Sequence, residues 1–230
     1  MLEPDILLVM NKFDWFKKKP GAGDKNKEGL KILQQSLNEK YGNYDYGHDL
    51  REHDDGKEFN LNFKQIINTT LDNPQKILLV GSNDGREVPL IRELGELTAV
   101  DLSDVALDKL RATYPDITTV VSDIESLPFE DNSFDTYIGM RTLHASNIDL
   151  DKALNEALRV TTKTWIISVS NGYVVEGEVV KGMYDYDNGE ILKDLPYRYV
   201  DEIVEFFKKH NIQSHTEETT SEIIIVAKSL

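Results

Sequence analysis

Three groups of residues have the types and spacing to do chemistry. The first is the turn Gly81-Ser82-Asn83-Asp84-Gly85-Arg86, which follows the apolar run Lys76 to Val80 and precedes Asp101 by 20 residues from Gly81. A glycine turn between a buried strand and a helix brings backbone N–H groups close to a ligand, and an acid closing the next strand accepts from two ribose hydroxyls. The second group is the loop Gly139-Met140-Arg141-Thr142-Leu143-His144-Ala145-Ser146. A neutral imidazole such as His144 titrates in the working range of general acid–base chemistry. Arg141 has the fork geometry to hold a carboxylate or phosphate by two parallel hydrogen bonds. The third group, Tyr41, Tyr44, Tyr46, His48, Arg51 and His53, is too polar for a core and too aromatic for a linker. Long irregular segments in compact domains are often lids or binding loops, and a lid is the functional expectation here. His48, Asp49, His53, Asp54 and Asp55 invite a metal reading as well. Histidines five residues apart do not share a helix face, so no metal is expected.

The elements that must position these groups can be read from apolar periodicity. Leu30, Leu33 and Leu37, then Phe63, Ile66 and Ile67, recur at helical spacing, and together with the turn-prone Pro20 to Asp24 they predict a helical, partly irregular extension over 1–73. From Lys76 strands alternate with helices, the pattern of a parallel sheet covered on both faces. Strands are expected at Lys76 to Val80, Leu97 to Asp101, Ile117 to Val121, Phe134 to Gly139, Thr164 to Val169 and Glu222 to Ala227. A helix is expected to begin near Asp84 with Glu87 as its capping-box partner, Val88, Ile91 and Leu94 as its inward face and Gly95 as its stop. Ser103 should cap a helix from Val105 to Thr113 that Pro115 halts. Leu150, Ala153, Leu154, Ala157 and Leu158 fit one helical face, and Val200, Ile203, Val204 and Phe207 another.

One segment is more specific than the turn and the acid, which nicotinamide enzymes and flavoproteins share with other nucleotide binders. The run Val121-Ser122-Asp123-Ile124-Glu125-Ser126-Leu127-Pro128-Phe129-Glu130-Asp131-Asn132-Ser133-Phe134-Asp135 resembles the stretch between the third and fourth strands of class I S-adenosylmethionine-dependent methyltransferases, in their small-molecule branch. Val100-Asp101-Leu102-Ser103 before it and Leu150 to Val160 after it are similar to that family in order and spacing. The resemblance covers about residues 74–170, becomes generic over 171–230 and is absent before 70. It implies an α/β fold, a doubly wound, seven-stranded, mostly parallel sheet with an antiparallel last strand and helices on both faces. The domain so implied is 74–230, with 1–73 as extension or lid.

Carried onto this sequence, the resemblance places Gly81, Ser82, Asn83 and Gly85 around the methionine part of S-adenosylmethionine, Asp101 on the ribose and Asp123 with Ile124 at the adenine edge. Leu102 and Ile124 are apolar enough to sandwich a flat ring. Arg86 is placed to meet the methionine carboxylate, and Met140 lies in the loop that faces the methyl group. Tyr184, Tyr186, Tyr197 and Tyr199 fall where the family inserts substrate-binding elements. The family has no fixed catalytic residue in the 139–146 loop, so His144 as base and Arg141 as substrate anchor are physical assignments. Two positions depart from the pattern. Leu79 stands where an acid is usual, and Asn83 where the middle glycine is usual; asparagine is the non-glycine residue most tolerant of positive φ, so the turn can still form.

Composition narrows the partners. The chain has 230 residues, 26 Lys and Arg against 41 Asp and Glu, and a net charge of −15. Phosphate-backbone binding needs clustered cations, and Lys17 to Lys19 is the one short basic run, so nucleic acid is not an expected partner. No stretch approaches the ~20 apolar residues of a membrane span, and cysteine is absent, which excludes disulfides and thiolate chemistry. The expectation is a cytoplasmic monomer or homodimer, a methyltransferase acting on a small molecule. The alternatives are a catalytically silent domain of the same fold, suggested by Leu79 and Asn83, and a nicotinamide oxidoreductase, which Gly81 and Asp101 alone would allow.

Overall fold

A computed structural model describes residues 27–43, 54–72, 75–145, 147–175, 178–185 and 190–229. Lys17 to Lys19, Pro20 to Asp24, Tyr44, Tyr46, His48, Asp49, Arg51, His53, Ser146 and Tyr186 lie outside the described residues. In chain order the helices are α1 (Lys27–Asn43), α2 (Asp54–Thr70), α3 (Val88–Ile91, running into a 3-10 turn at Arg92–Leu94), α4 (Asp104–Thr113), α5 (Leu150–Val160) and α6 (Leu195–Lys209). The strands are β1 (Gln75–Val80), β2 (Gly95–Asp101), β3 (Thr118–Val121), β4 (Phe134–Met140), β5 (Thr161–Ser170), β6 (Gly172–Val175), β7 (Glu178–Lys181), β8 (Met183–Asp185), β9 (Glu190–Leu192), β10 (Gln213–Glu218) and β11 (Glu222–Lys228).

Seven strands form one sheet in the order β10-β11-β5-β4-β1-β2-β3. All neighbours are parallel except β11, which runs antiparallel to both β5 and β10. The continuous apolar runs of the inner strands follow from burial on both faces. Side chains alternate between the faces, so β1 sends Leu78 and Val80 to one core and Ile77 and Leu79 to the other. The first core packs Ala153, Leu154, Ala157 and Val160 of α5 and Val200, Ile203, Phe206 and Phe207 of α6 against Tyr137, Trp165, Ile167 and Ile225. The second packs Phe63, Ile66 and Ile67 of α2, Val88 and Ile91 of α3 and Leu107 and Leu110 of α4 against Ile138, Ile166 and Ile224. Each fully buried side chain of this size contributes roughly 1.5–3 kcal/mol relative to exposure.

The capping-box start at Asp84 does not form. Residues 83–85 make a turn, and the helix runs only from Val88 to Ile91, with Glu87 at its N-cap making no side-chain capping bond. Pro89 sets this start, because a proline lacks the N–H that any later helical position would need. Ser103 does cap α4, its hydroxyl accepting from Ala106 N at 3.1 Å. Asp135 braces β4, accepting from Lys76 N at 2.9 Å and pairing with Lys163. Two small hairpins, β6 with β7 and β8 with β9, separate β5 from α6. Among the described residues no helix is long and apolar enough to cross a membrane.

Candidate active site

The parallel order reverses direction between β1 and β4, and a crevice at the carboxyl ends of strands is the general ligand position in such sheets. The turn after β1 lies there. Gly81, Asn83 and Gly85 all have positive φ, at 60°, 49° and 91°. Asn83 thus takes the left-handed conformation that its residue type tolerates, and its Oδ1 accepts from Asp84 N at 2.8 Å. A Cβ at Gly81 would stand 2.2 Å from Thr142 Oγ1 and 2.6 Å from Thr142 Cγ2, so only glycine fits between β1 and the loop after β4. Ser82 is fully buried, donates its N–H to Val100 O at 3.0 Å, and leaves its Oγ without a hydrogen-bond partner among the described residues.

Asp101, at the end of β2, is buried and held by two amides: Asn83 N reaches Oδ2 and Ser103 N reaches Oδ1, each at 2.9 Å. A carboxylate offers about four lone-pair sites, so capacity remains for two hydroxyl donors. Burial pushes its pKa up, opposed by the amides of Ser103, Asn83 and Leu102 and by the charge of Lys40. Leu102 beside it is half-buried. Asp123 is half-buried too and accepts from Glu125 N at 3.1 Å, while Ile124 is buried in the first core. The turn, the Asp101 carboxylate and the apolar Leu102 and Ile124 therefore lie along the tops of β1, β2 and β3.

The loop after β4 is more constrained than its sequence suggests. Arg141 sits at φ 52°, its N–H donates to Ser168 Oγ at 2.9 Å, and its guanidinium bonds Glu222 and, at 3.2 Å, Ser221 Oγ. The sequence suggests a substrate anion for Arg141; in the structure that fork is committed to Glu222 at the start of β11. Glu222 is fully buried, and its Oε2 has no hydrogen-bond partner among the described residues. Thr142 bridges the two strand tops, its hydroxyl donating to Met140 O at 2.9 Å and lying 3.4 Å from Val80 O. Met140 itself is buried in the second core. His144 packs edge-on to Tyr199, ring centroids 6.3 Å apart, with Nδ1 unpartnered among the described residues. Burial and the Arg141 charge hold its pKa down at about 4, against a Ser168 carbonyl that raises it.

Beside this pair lie Arg86 and Glu87, both buried. Burial pushes the Glu87 carboxyl up to about 6; Arg86, its own amide and Arg141 oppose this, and Glu222 adds to it. A raised folded pKa means that the stability tied to this group is fully present below pH 4.5 and lost as pH rises through about 6. Glu87→Gln should therefore gain up to about 2 kcal/mol over the wild type at pH 8 and nothing near pH 4. Urea midpoints of both proteins at the two pH values measure this; an equal difference at both would remove the titration from the account.

Several site residues have no signal in the sequence. Leu79 is 1% exposed and belongs to the second core, so the position where an acid is usual is packing here. Thr142 and Glu222 read as ordinary loop and strand-end polar residues, and Glu87 as a helix-capping residue. Asn38, Lys40 and Tyr41 of α1 reach the Asp101 corner from some 60 residues away, a juxtaposition that spacing alone does not reveal.

A family profile described as a methyltransferase domain matches residues 78–166. No curated protein matches the sequence. Among solved structures, a S-adenosylmethionine-dependent methyltransferase from Aquifex aeolicus is 16% identical with a TM-score of 0.60, covering 81% of this chain and all of its own. The 1,6-didemethyltoxoflavin-N1-methyltransferase of Burkholderia thailandensis, solved with 1,6-didemethyltoxoflavin and S-adenosylhomocysteine, is 16% identical at TM-score 0.59 and covers 92% of each chain. Magnesium protoporphyrin IX methyltransferase from Synechocystis PCC 6803, with bound S-adenosylhomocysteine, is 10% identical at TM-score 0.57, covering 87% of this chain and 99% of its own. The domain match runs from β1 to β5 and takes in both the glycine turn and the acid after β2, and the chain shares the fold of these S-adenosylmethionine-dependent methyltransferases.

Proposed function

We propose that the chain transfers a methyl group from S-adenosylmethionine to a small-molecule acceptor. The observation that carries this reading is the positive-φ turn at Gly81, Asn83 and Gly85, closed on Asp101 by the Asn83 amide. When bound, the cofactor supplies an electrophilic methyl on a sulfonium. Asp101 would hold its ribose, Gly81, Ser82, Asn83 and Gly85 its methionine part with Arg86 toward the carboxylate, and Leu102, Asp123 and Ile124 its adenine, with Met140 at the floor of the crevice.

The remaining task of the chain is to align the acceptor and exclude water. The hairpins β6 to β9 follow the end of β5, and His144 of the loop after β4 packs against Tyr199 of α6; these elements would supply that enclosure. A small acceptor suits this enclosure and the net charge of −15, which opposes a phosphate backbone. A half-buried, neutral His144 can take a proton from an acceptor hydroxyl, with Arg141 positioning its loop through Glu222. The buried Leu79 favours a second reading, a domain of this fold that binds the cofactor weakly and serves interaction, because it removes a carboxylate from the site.

Thermal shifts with S-adenosylmethionine, S-adenosylhomocysteine and NAD separate these readings, since a ligand that binds the native state raises its stability. Stabilisation by the first two, with a methylated product in an extract detected by mass spectrometry, is expected. Stabilisation by NAD alone would end the proposal. For the base, His144→Ala should lower kcat by roughly 10²-fold, the low end for a general base because so weak a base gains little. With the ring held at about 4, the His144-dependent limb of the kcat profile should lie near pH 4 and be flat from pH 6 to 9. Activity of His144→Ala within twofold of wild type would leave a site that works by alignment alone.

A further inference from the structure

The C-terminal end of α1 is built onto the ribose corner. Asn38 Oδ1 accepts from Ser103 Oγ at 2.7 Å, its Nδ2 donates to Asp104 Oδ1 at 2.5 Å, and Lys109 Nζ donates to Tyr41 O at 2.5 Å. These bonds tie residues 38 and 41 to the first turns of α4, whose N-cap residue Ser103 gives its amide to Asp101. Lys40 lies between the two anchors. Its Nζ lies 5.6 Å from the centroid of the neighbouring Tyr41 ring, and its charge and that of Asp101 stabilise one another, which puts the ammonium near the corner. Leu33, two turns before Lys40 on the same helical face, is buried and secures the helix.

We propose that Lys40 is a member of the cofactor site, donating from its ammonium to a ribose hydroxyl oxygen while Asp101 accepts from the hydroxyl protons. The proposal rests on the reading that the chain binds S-adenosylmethionine, and it makes α1 a clamp on the adenosine. The chemistry is complementary. Each ribose hydroxyl carries one donor and two acceptor lone pairs; Asp101 consumes the donors, and a cation with three N–H groups uses the oxygens that a carboxylate cannot. Burial lowers the Lys40 pKa to about 8, which keeps the ammonium in the majority at pH 7. A charge-assisted hydrogen bond in such surroundings is about twice as strong as a neutral one.

The test is calorimetry of S-adenosylhomocysteine and its 2′-deoxy and 3′-deoxy analogues on the full chain. Lys40→Met should weaken S-adenosylhomocysteine about 10-fold at unchanged melting temperature, and Lys40→Arg should stay within about threefold of wild type. For the deoxy analogue that lacks the hydroxyl Lys40 serves, Lys40→Met should cost almost nothing, since the interaction has been removed from the other side. Asn38→Ala, which loosens the same helix end without touching the ammonium, should weaken all three ligands alike. An equal loss for all three with Lys40→Met would make Lys40 merely structural, and tighter binding would make it an obstruction; either overturns the proposal. A wild-type chain that binds none of the three would sink the methyltransferase reading itself, a result distinct from both.

Discussion

Arg141→Ala should unfold at a markedly lower denaturant concentration than wild type, with a loss of about 3–5 kcal/mol. The guanidinium is the partner of Glu222, a carboxylate with no exposed surface and with one oxygen already lacking a hydrogen bond among the described residues. Truncating the arginine leaves that buried charge without its ion-pair partner. A loss of this size is a large part of the 5–15 kcal/mol by which domains are stable, and corresponds to roughly 10 °C in Tm. Replacing both partners by apolar residues, Arg141→Met with Glu222→Leu, should recover most of it, because the burial cost of the charges disappears with them.

The same experiment distinguishes two roles for Arg141. A substrate anchor, the expectation from its residue type, predicts a raised KM at unchanged stability. A residue that positions the loop predicts the stability loss above together with a fall in kcat, because Thr142 and His144 follow it directly and its φ of 52° depends on the bonds to Glu222, Ser221 and Ser168. A stability loss under about 1 kcal/mol in urea would mean that the pair is solvated in solution, and would return Arg141 to the substrate.

How much of this could be read beforehand depended on where each residue finds its partners. β1, β2, β4, β5 and β11 are legible because inner strands bury both faces and must be continuously apolar. β10, Gln213–Glu218, is not. It is an edge strand with five of its six residues exposed, so nothing in its composition separates it from a loop, and only the family resemblance supplied a seventh strand. The hairpins β6 to β9 are three or four residues per strand, too short for a period to show. Within the site, Gly81, Asn83, Gly85 and Asp101 are legible because the strand–turn–helix unit fixes them locally. Arg141 illustrates the opposite case: its chemistry is visible in the sequence, but its partner lies 81 residues away. Residue type proposes what a side chain is able to do, and the buried partner decides which of those things it does.

Asp101→Asn carries the other large effect, and it should separate binding from stability. Affinity for S-adenosylhomocysteine should fall by about 1.5–3 kcal/mol, the range for a hydrogen bond to a charged group, or roughly 10- to 150-fold in Kd. The amide keeps one acceptor oxygen for Asn83 N or Ser103 N but cannot serve both amides and two ribose hydroxyls. Stability should move the other way. Burial raises the Asp101 pKa despite three amides and Lys40, so the ionised form is the less favoured one in the folded chain. A raised folded pKa gives a contribution that is present at low pH and lost as pH rises through it. At pH 8 the wild type holds a buried charge that Asp101→Asn does not, and the variant should melt no lower, and by the sign of the shift higher, than the wild type. As the pH is lowered toward the carboxylate range the difference should close. Such an exchange of stability for affinity is expected of a residue kept for its ligand. Calorimetric affinity within twofold of wild type would take Asp101 out of the site, and a variant destabilised equally at every pH would mean that its two amide bonds, rather than its charge, govern the fold there.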